Sequence, residues 1–353
     1  MQKKLVAVVA LALVSGAALA QSTVTIYGNI DLGLLTQNNV QTTDTTQLYN
    51  GGISPSIWGF RGSEDLGGGL KANFNLESHF SADTGAGVGG MFRRQANVGL
   101  SSASMGTVTL GVLYSPAVLA FAATDPRGLR ENFSGLYPWA YNSGALNAAN
   151  STNSDVGVFL HNAISYSNAL GPVNLAVGYS VAENSATGPT GGAVLALGVT
   201  YSGPLSVSAA YQKTDYANSS NELSSMYSLG VGYTMGALTG KINYLKGREK
   251  DATGVNATDV GILGLGLDWR LAANNTVMVA VYSGEDKKSV ASSKTTSFIL
   301  SDEYALSKRT TLYGQVAFVN ADTAAGLRTS IVAGGTLADK NATLFNVGVK
   351  HSF

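Results

Sequence analysis

The side chains that most often carry out catalysis or bind metal ions are scarce in this sequence. It contains three histidines, His79, His161 and His351, and no cysteine. Without cysteine there is no disulfide, thiolate metal site or cysteine nucleophile, and no histidine has the spacing of a metal-binding motif. A serine–histidine pair remains open, because the members of a catalytic triad meet in space rather than in sequence. GGGLK at 67–71 lacks the spacing of a phosphate-binding loop, so we interpret it as a turn.

Charged residues are the other candidates for chemistry, and they are few. Lys+Arg and Asp+Glu number 22 each and together make up 12% of the 353 residues, against about 25% in an average soluble domain. This balance predicts no nucleic-acid partner, since such partners usually need a basic surface. Asp31, Arg61 and Lys71 lie on short segments in which apolar and polar residues alternate. One long segment between such stretches carries four further charges, Asp125, Arg127, Arg130 and Glu131. What these charges can do depends on the elements that carry them.

The N-terminus has the layout of a secretory signal peptide. A basic MQKK is followed by apolar residues at 5–14, and 18–20 read Ala-Leu-Ala, the small-residue pattern that signal peptidase cleaves. A membrane anchor is the alternative, but the apolar run is shorter than the about 20 residues that a spanning helix needs. We therefore expect residues 1–20 to be a cleaved signal peptide and residues 21–353 to be the exported chain.

Apolar and polar side chains alternate with a period of two through most of the mature sequence. In TIYGNIDLGLL at 25–35, Ile26, Ile30 and Leu32 share one parity, and the other parity is largely polar. Similar alternation is found in LKANFNLE, MYSLGVGYT, GLGLDWR, TLYGQVAF and the terminal FNVGVKHSF. Period two with one apolar face is typical of β-strands. The mature chain is therefore predicted to be all-β.

Tight turns and long polar segments alternate between these strands. The seven tight turns lie at 65–69, 102–106, 169–172, 202–204, 234–237, 271–275 and 306–309. The eight long segments lie at 36–54, 81–89, 114–156, 183–191, 215–222, 250–258, 285–294 and 321–340. An even strand number with short turns at one end and long loops at the other is typical of outer-membrane barrels. We expect a transmembrane antiparallel β-barrel of about 16 strands with short periplasmic turns and long external loops.

Closure of such a barrel would explain why the chain ends in the middle of a strand. Lipid offers no water to unpaired amides, so an open edge is not tolerated, and a last strand that runs to Phe353 can pair with the first. Phe353 would lie at the lipid boundary, where aromatic girdles are found. Six further aromatic residues are predicted there, near strand ends that face tight turns: Tyr179, Tyr201, Tyr211, Tyr233, Trp269 and Tyr304. A soluble β-sandwich or propeller is the alternative, but no internal repeat is visible.

Several segments resemble the Gram-negative general porin family, the trimeric sixteen-stranded diffusion channels. They are VTIYGNIDLGL, WGFRGSEDLGGGLKANFNLE, RRQANVGLSSASMGTVTLG, EYALSKRTTLYGQVAFVN and GVKHSF, and together they bracket the mature chain. The resemblance implies that the third external loop folds into the lumen, that subunits form a homotrimer, and that Phe353 is a signal to the barrel-assembly machinery. Residues 114–156 form the longest segment between strands and are rich in aromatics, which suits an ordered constriction loop.

A barrel of this size can hold an aqueous lumen, whose selectivity depends on the charges at its narrowest point. Arg94 matches the position where the family places a basic residue facing the constriction. The other candidates are Arg61, Lys71 and Asp31 on the wall, which share inward parity, and Asp125, Glu131, Arg127 and Arg130 in the loop. The resemblance implies that wall cations face loop carboxylates. Ile57 stands where the family usually has a second wall arginine, so the sequence predicts no ion preference.

The resemblance predicts an outer-membrane porin, a water-filled pore for passive diffusion of small hydrophilic solutes and ions, surrounded by lipid and without a cofactor. The alternative is a substrate-specific channel for a sugar or a dicarboxylate. A sugar channel would present a ladder of aromatics to the lumen, whereas most aromatics here take the apolar parity. An enzyme and a plugged transporter are disfavoured, because no catalytic group is evident and the strand pattern begins within a few residues of Gln21.

Overall fold

The computed structural model describes most of residues 21–353. The described residues are 23–39, 44–130, 134–135, 157–182, 192–216, 221–251, 253–325 and 339–353. The strands in chain order are β1 Thr23–Gln37, β2 Thr45–Asn50, β3 Ile57–Gly67, β4 Leu70–His79, β5 Gln95–Ser102, β6 Gly106–Tyr114, β7 Phe159–Leu170, β8 Val173–Ser180, β9 Val194–Tyr201, β10 Leu205–Asp215, β11 Glu222–Met235, β12 Leu238–Lys250, β13 Asn256–Ala272, β14 Asn275–Asp286, β15 Thr295–Ala305, β16 Thr310–Ala321 and β17 Asn341–Ser352. A short helix, α1, spans Pro116–Ala122 between β6 and β7.

No helix in the described residue ranges is long and apolar enough to cross a membrane. The predicted signal peptide, 1–20, lies outside them.

The strands form one closed antiparallel barrel. From β3 onward each strand pairs with the next along the chain. β17 returns to pair with β1, from Ser352 opposite Asn29 to Leu344 opposite Gln37. β2 and β3 occupy a single position in the wall, since they pair with the C-terminal and N-terminal halves of β1. Counted around the wall, the barrel has sixteen strands, which confirms the prediction.

The wall position shared by β2 and β3 is interrupted at residues 51–56. The sequence predicts a loop at 36–54, but β2 lies inside this range and the chain leaves the ladder only after Asn50. Gly51 adopts a positive φ of 84°, which glycine tolerates best. Pro55 has no N–H to donate to a neighbouring strand. The predicted loop was therefore wrong over β2, because the break in the ladder comes later.

The alternation gives the barrel an apolar outer face. On β13, Leu263, Leu265 and Leu267 are 41%, 46% and 45% exposed, and the residues between them are glycines that face the interior. Large apolar side chains are exposed in the same way on most other strands. A protein in water would cover such a band, whereas surrounding hydrocarbon stabilises it.

Aromatic side chains lie on the outer face towards both ends of the strands. Four of the six predicted girdle residues are exposed beside tight turns: Tyr201, Tyr233, Trp269 and Tyr304. The other two, Tyr179 and Tyr211, lie nearer the long-loop ends of β8 and β10. Their predicted position beside tight turns was wrong, because these two strands run away from the turn side.

The C-terminus completes the seam of the barrel. Phe353 donates its N–H to the Gly28 carbonyl at 3.0 Å, and Gly28 donates to the Phe353 carbonyl at 3.2 Å. The Phe353 ring lies so close to Gly28 that a Cβ there would come within 2.6 Å of it. The chain therefore ends mid-strand with its last residue paired. That this residue is also an assembly signal stays a prediction.

Candidate pore constriction

We name the connection between β6 and β7, residues 115–158, loop 3, and its described residues 116–130 lie inside the barrel against the inner wall. Pro116 suits the first position of α1 because its φ is preset for a helix. Ser115 caps the helix by accepting a hydrogen bond from the Ala117 N–H at 3.2 Å, and its hydroxyl donates to Gln212 on β10. The buried side of α1 packs against β9 and β10. The start of loop 3 is thus fixed on the inner wall.

Thr124 and Asp125 attach the end of α1 to β10, β12 and β14. Thr124 shares a hydrogen bond of 2.6 Å with Ser208 and accepts one of 2.7 Å from Asn243. Tyr282 donates its hydroxyl to the Asp125 carboxylate at 2.9 Å. Burial raises the pKa of the Asp125 carboxyl, because the charged form loses its hydration. The stability from this shift is present at low pH and is lost as the pH rises through the raised pKa.

Two arginines attach the next part of loop 3 to β15 and β16. The Arg127 guanidinium donates to Ser301 and, at 2.8 Å, to Gln315. Arg130 donates to both carboxylate oxygens of Glu303, at 2.8 and 3.2 Å. Hydrogen bonds to charged groups contribute about 1.5–3 kcal/mol when they are buried. Residues 116–130 therefore follow the inner wall from β9 to β16.

Glycines in the wall provide the space in which loop 3 lies. Gly198, Gly230 and Gly266 face inward on β9, β11 and β13. A Cβ at Gly266 would come within 2.7 Å of the Pro126 Cβ, and one at Gly230 would overlap the Thr124 side chain. A Cβ at Gly198 would overlap the backbone of α1. The close approach of the loop therefore depends on glycine at these positions.

Replacing Gly230 with leucine is expected to lower the single-channel conductance. The added side chain pushes Thr124 and its neighbours from the wall towards the pore axis, which narrows the lumen. Gly240→Leu on β12 controls for the leucine substitution itself, because Gly240 faces outward and a Cβ there meets nothing within 4 Å. Both variants are measured as folded protein in planar bilayers. Equal conductance in Gly230→Leu and the parent protein would contradict the inference that this glycine leaves the space in which loop 3 packs against the wall.

Arg94 lies just before β5 and is ion-paired. Its Nε donates to Glu77 Oε1 at 2.8 Å, and its guanidinium lies over the rings of Tyr114 and Phe159, 5.6 and 5.2 Å from their centroids. Arg94 is only 8% exposed. Its partner offsets much of its charge, so its evident role is to brace β4, β6 and β7 at the base of loop 3. A direct part in ion selection stays a prediction.

Asp31 faces inward, as its parity predicts, but lies buried beneath residues 51–56. Its carboxylate accepts hydrogen bonds from the N–H groups of Ile53 and Ser54 at 2.9 and 2.8 Å, and from the Tyr313 hydroxyl at 2.6 Å. It is 0% exposed. Asp31 therefore holds the interrupted wall segment inside the barrel, which differs from the open wall charge expected from sequence.

Arg61 and Lys71 are the sequence candidates that the structure leaves accessible. They lie on β3 and β4 with inward parity and are both exposed. The Arg61 guanidinium lies 4.9 Å from the centroid of the Tyr27 ring. Lys71 is the second residue of β4 and so lies close to the periplasmic turn. These two side chains present positive charge to the lumen below loop 3.

Three further inward-facing cations were missed in the sequence, although the same parity could have identified them. They are Lys241 on β12, Arg270 on β13 and Lys350 on β17. Lys241 is paired with Asp268 at 2.9 Å, and Arg270 is exposed. The loop anchors Gln212, Tyr282 and Gln315 had no sequence signal, because each is recognisable only by its contact with loop 3.

The structure brings three of the four predicted loop charges together on the wall side of loop 3. Asp125 and Arg127 are 0% and 1% exposed, and Arg130 is paired as described above. Glu131 lies outside the described residues, as does most of the predicted constriction segment 114–156 beyond residue 130. In the part of the chain that the structure covers, no group of three or more histidine and acidic residues could hold a metal ion.

Comparisons with known proteins agree with this geometry. Residues 7–324 match the profile of Gram-negative porins. Outer membrane porin protein 32 of Delftia acidovorans is 34% identical over 368 residues, covering 100% of both chains. The anion-selective porin from Comamonas acidovorans has a TM-score of 0.80 at 27% identity, covering 94% of this chain and 100% of that chain. OmpT of Vibrio cholerae, in its trimer form, shares the fold, with a TM-score of 0.69 at 15% identity and coverage of 94% and 99%. With the closed barrel and its inward loop, these matches establish that the chain belongs to the Gram-negative porin family.

Proposed function

We propose that this porin is a homotrimer whose lumen favours anions. As a member of its family it resides in the outer membrane and forms a water-filled pore for passive diffusion of small hydrophilic solutes and ions. We further propose that residues 1–20 are removed on export and that the barrel-assembly machinery recognises Phe353. The matched relatives are porins, and the proposal assigns no enzymatic reaction to the chain.

Unequal exposure of the lumen charges is the observation that carries the anion preference. Arg61, Lys71 and Arg270 face inward and are exposed. Most inward-facing acids of the same region are buried or paired with a cation: Asp31, Glu77, Asp268 and Glu303. Asp65, opposite Lys71, is an exposed exception. An ion below loop 3 therefore meets more accessible positive than negative charge, and lumen charge sets selectivity.

Two relatives add support. The Comamonas acidovorans porin is described as anion-selective, and OmpT has been solved in trimer form. The outer face of β1, β5 and β6 carries exposed apolar residues, which can contact either lipid or a neighbouring subunit. Chemical cross-linking in detergent would report the number of subunits.

The reversal potential in a salt gradient tests the proposed ion preference. With purified protein in a planar bilayer and more KCl on one side, the sign of the potential at zero current shows which ion passes more easily. We expect the sign of an anion-preferring pore and a conductance that rises with bulk salt. A cation-preferring sign would reject the anion preference. Block by one sugar or dicarboxylate would instead favour the substrate-specific channel.

A further inference from the structure

A groove on the inner wall, below α1, is lined by uncharged side chains. Its volume is about 400 Å³, and it extends over the inner faces of β6 to β9 towards the periplasmic turn between β5 and β6. Hydroxyl groups line the wall side, and α1 supplies an apolar edge. The residues that define it are Thr107, Ser167, Thr200, Pro116, Leu119 and Ala120.

The apolar edge of this groove is unusual for an aqueous lumen. Most of α1 is buried against the wall, but the Leu119 side chain is 54% exposed and lines the groove with Ala120. Contact between Leu119 and water is unfavourable, and an apolar solute that covers it would gain binding energy. The groove therefore offers a contact for an apolar group beside hydroxyl groups.

Lys71 is the inward-facing cation on β4, two strands away from the groove, with the exposed Asp65 opposite it on β3. Lys71 on β4 is opposite Ser101 on β5, and Ser101 is opposite Thr107 on β6. Neighbouring strands are about 4.8 Å apart, so the Lys71 backbone lies two strand spacings from a groove residue. Its side chain is exposed and shares inward parity with Ser101 and Thr107. A lysine side chain can bridge much of this distance.

We propose that the groove binds a small organic anion with an apolar body, such as an aromatic monocarboxylate. Lys71 attracts the carboxylate, Leu119 covers the ring, and the wall hydroxyls accommodate its edges. A neutral sugar lacks the charge for Lys71, and an inorganic anion lacks the body for Leu119. This inference rests on the proposed diffusion pore. It names the class of solute that binds to one part of the pore wall.

Current block by benzoate tests the proposal. Acetate and benzyl alcohol are the control probes: acetate has the carboxylate without the ring, and benzyl alcohol has the ring without the charge. Benzoate is titrated against a constant KCl conductance in planar bilayers. We expect saturable block by benzoate at concentrations about tenfold lower than for either control probe, because each lacks one of two contacts. Lys71→Gln and Leu119→Ser should each weaken block by benzoate severalfold. Lys287→Gln, an exposed change between β14 and β15, should leave it unchanged.

The outcomes separate this proposal from the pore itself. Normal KCl conductance without benzoate block would reject binding of the anion in the groove, whereas the proposed diffusion pore would be retained. Equal block by acetate, or benzoate block that persists in both Lys71→Gln and Leu119→Ser, would overturn it as well. Absence of KCl conductance in folded protein would instead reject the pore. The two groove substitutions are at exposed positions, so loss of folding in one still leaves the other as a test.

Discussion

Reversing two lumen charges, in the double variant Arg61→Glu with Lys71→Glu, is expected to turn an anion-preferring pore into a cation-preferring one. Both side chains are exposed on the inner face of β3 and β4. The acids nearby are mostly buried or ion-paired, so these two cations dominate the accessible charge of their wall. The measurement is the reversal potential in a KCl gradient, which should change sign.

Coulomb's law indicates the size of this effect. A unit charge about 7 Å from an ion in water contributes about 0.6 kcal/mol, and each reversal changes the charge by two units. The double variant therefore shifts the energy of a nearby ion by about 2 kcal/mol before salt screening, and about 1.4 kcal/mol corresponds to a tenfold ratio. Screening weakens the effect as salt rises, so the change should be largest in dilute KCl.

The matched control reverses two exposed lysines outside the lumen, in Lys287→Glu with Lys288→Glu. It changes the net charge by the same amount as the lumen variant and should shift the reversal potential much less. If both double variants shift it equally, net charge rather than lumen charge sets selectivity. If Arg61→Glu with Lys71→Glu leaves the potential unchanged, the accessible cations assigned from the structure do not select ions.

Deletion of loop 3 is expected to raise the conductance severalfold and to weaken ion selection. Residues 116–157 can be replaced by Asn-Gly, the two-residue sequence that suits a tight hairpin. The strand ends already lie together, because the Ser115 N–H donates to the Val158 carbonyl at 2.9 Å. The backbone ladder of the barrel is independent of the loop, so the wall should persist while its lumen widens.

A smaller change provides a second readout if the deletion folds poorly. Arg127→Ala with Arg130→Ala removes the contacts to Ser301, Gln315 and Glu303 but keeps α1 on the wall. We expect a noisier current, because the part of the loop beyond α1 loses its charged anchors. Lys287→Ala with Lys288→Ala, two exposed lysines between β14 and β15, is the control and should leave the current unchanged. A folded loop 3 deletion with parental conductance would show that this loop does not limit the pore.

The sequence by itself determined the outer form of this protein. Period-two alternation is a local property, and each strand must turn its apolar parity to lipid, so parity predicted the inward direction of Arg61 and Lys71. Tight turns and long segments then predicted the strand number. The pairing of Phe353 followed from the requirement that a barrel in lipid has no open edge.

The tertiary structure decided which inward charges are accessible, because that depends on residues far apart in the chain. Parity places Asp31 inside the barrel, but its burial depends on the folded segment at 51–56 and on Tyr313 of β16. Resemblance pointed to Arg94, yet Glu77, seventeen positions earlier, pairs with it. The position of loop 3 depends on Gly230 and Gln315, which lie more than a hundred positions beyond α1. Alternation is set between neighbours along a strand, whereas burial and ion pairing are set by contacts that form only when the barrel closes around its loop.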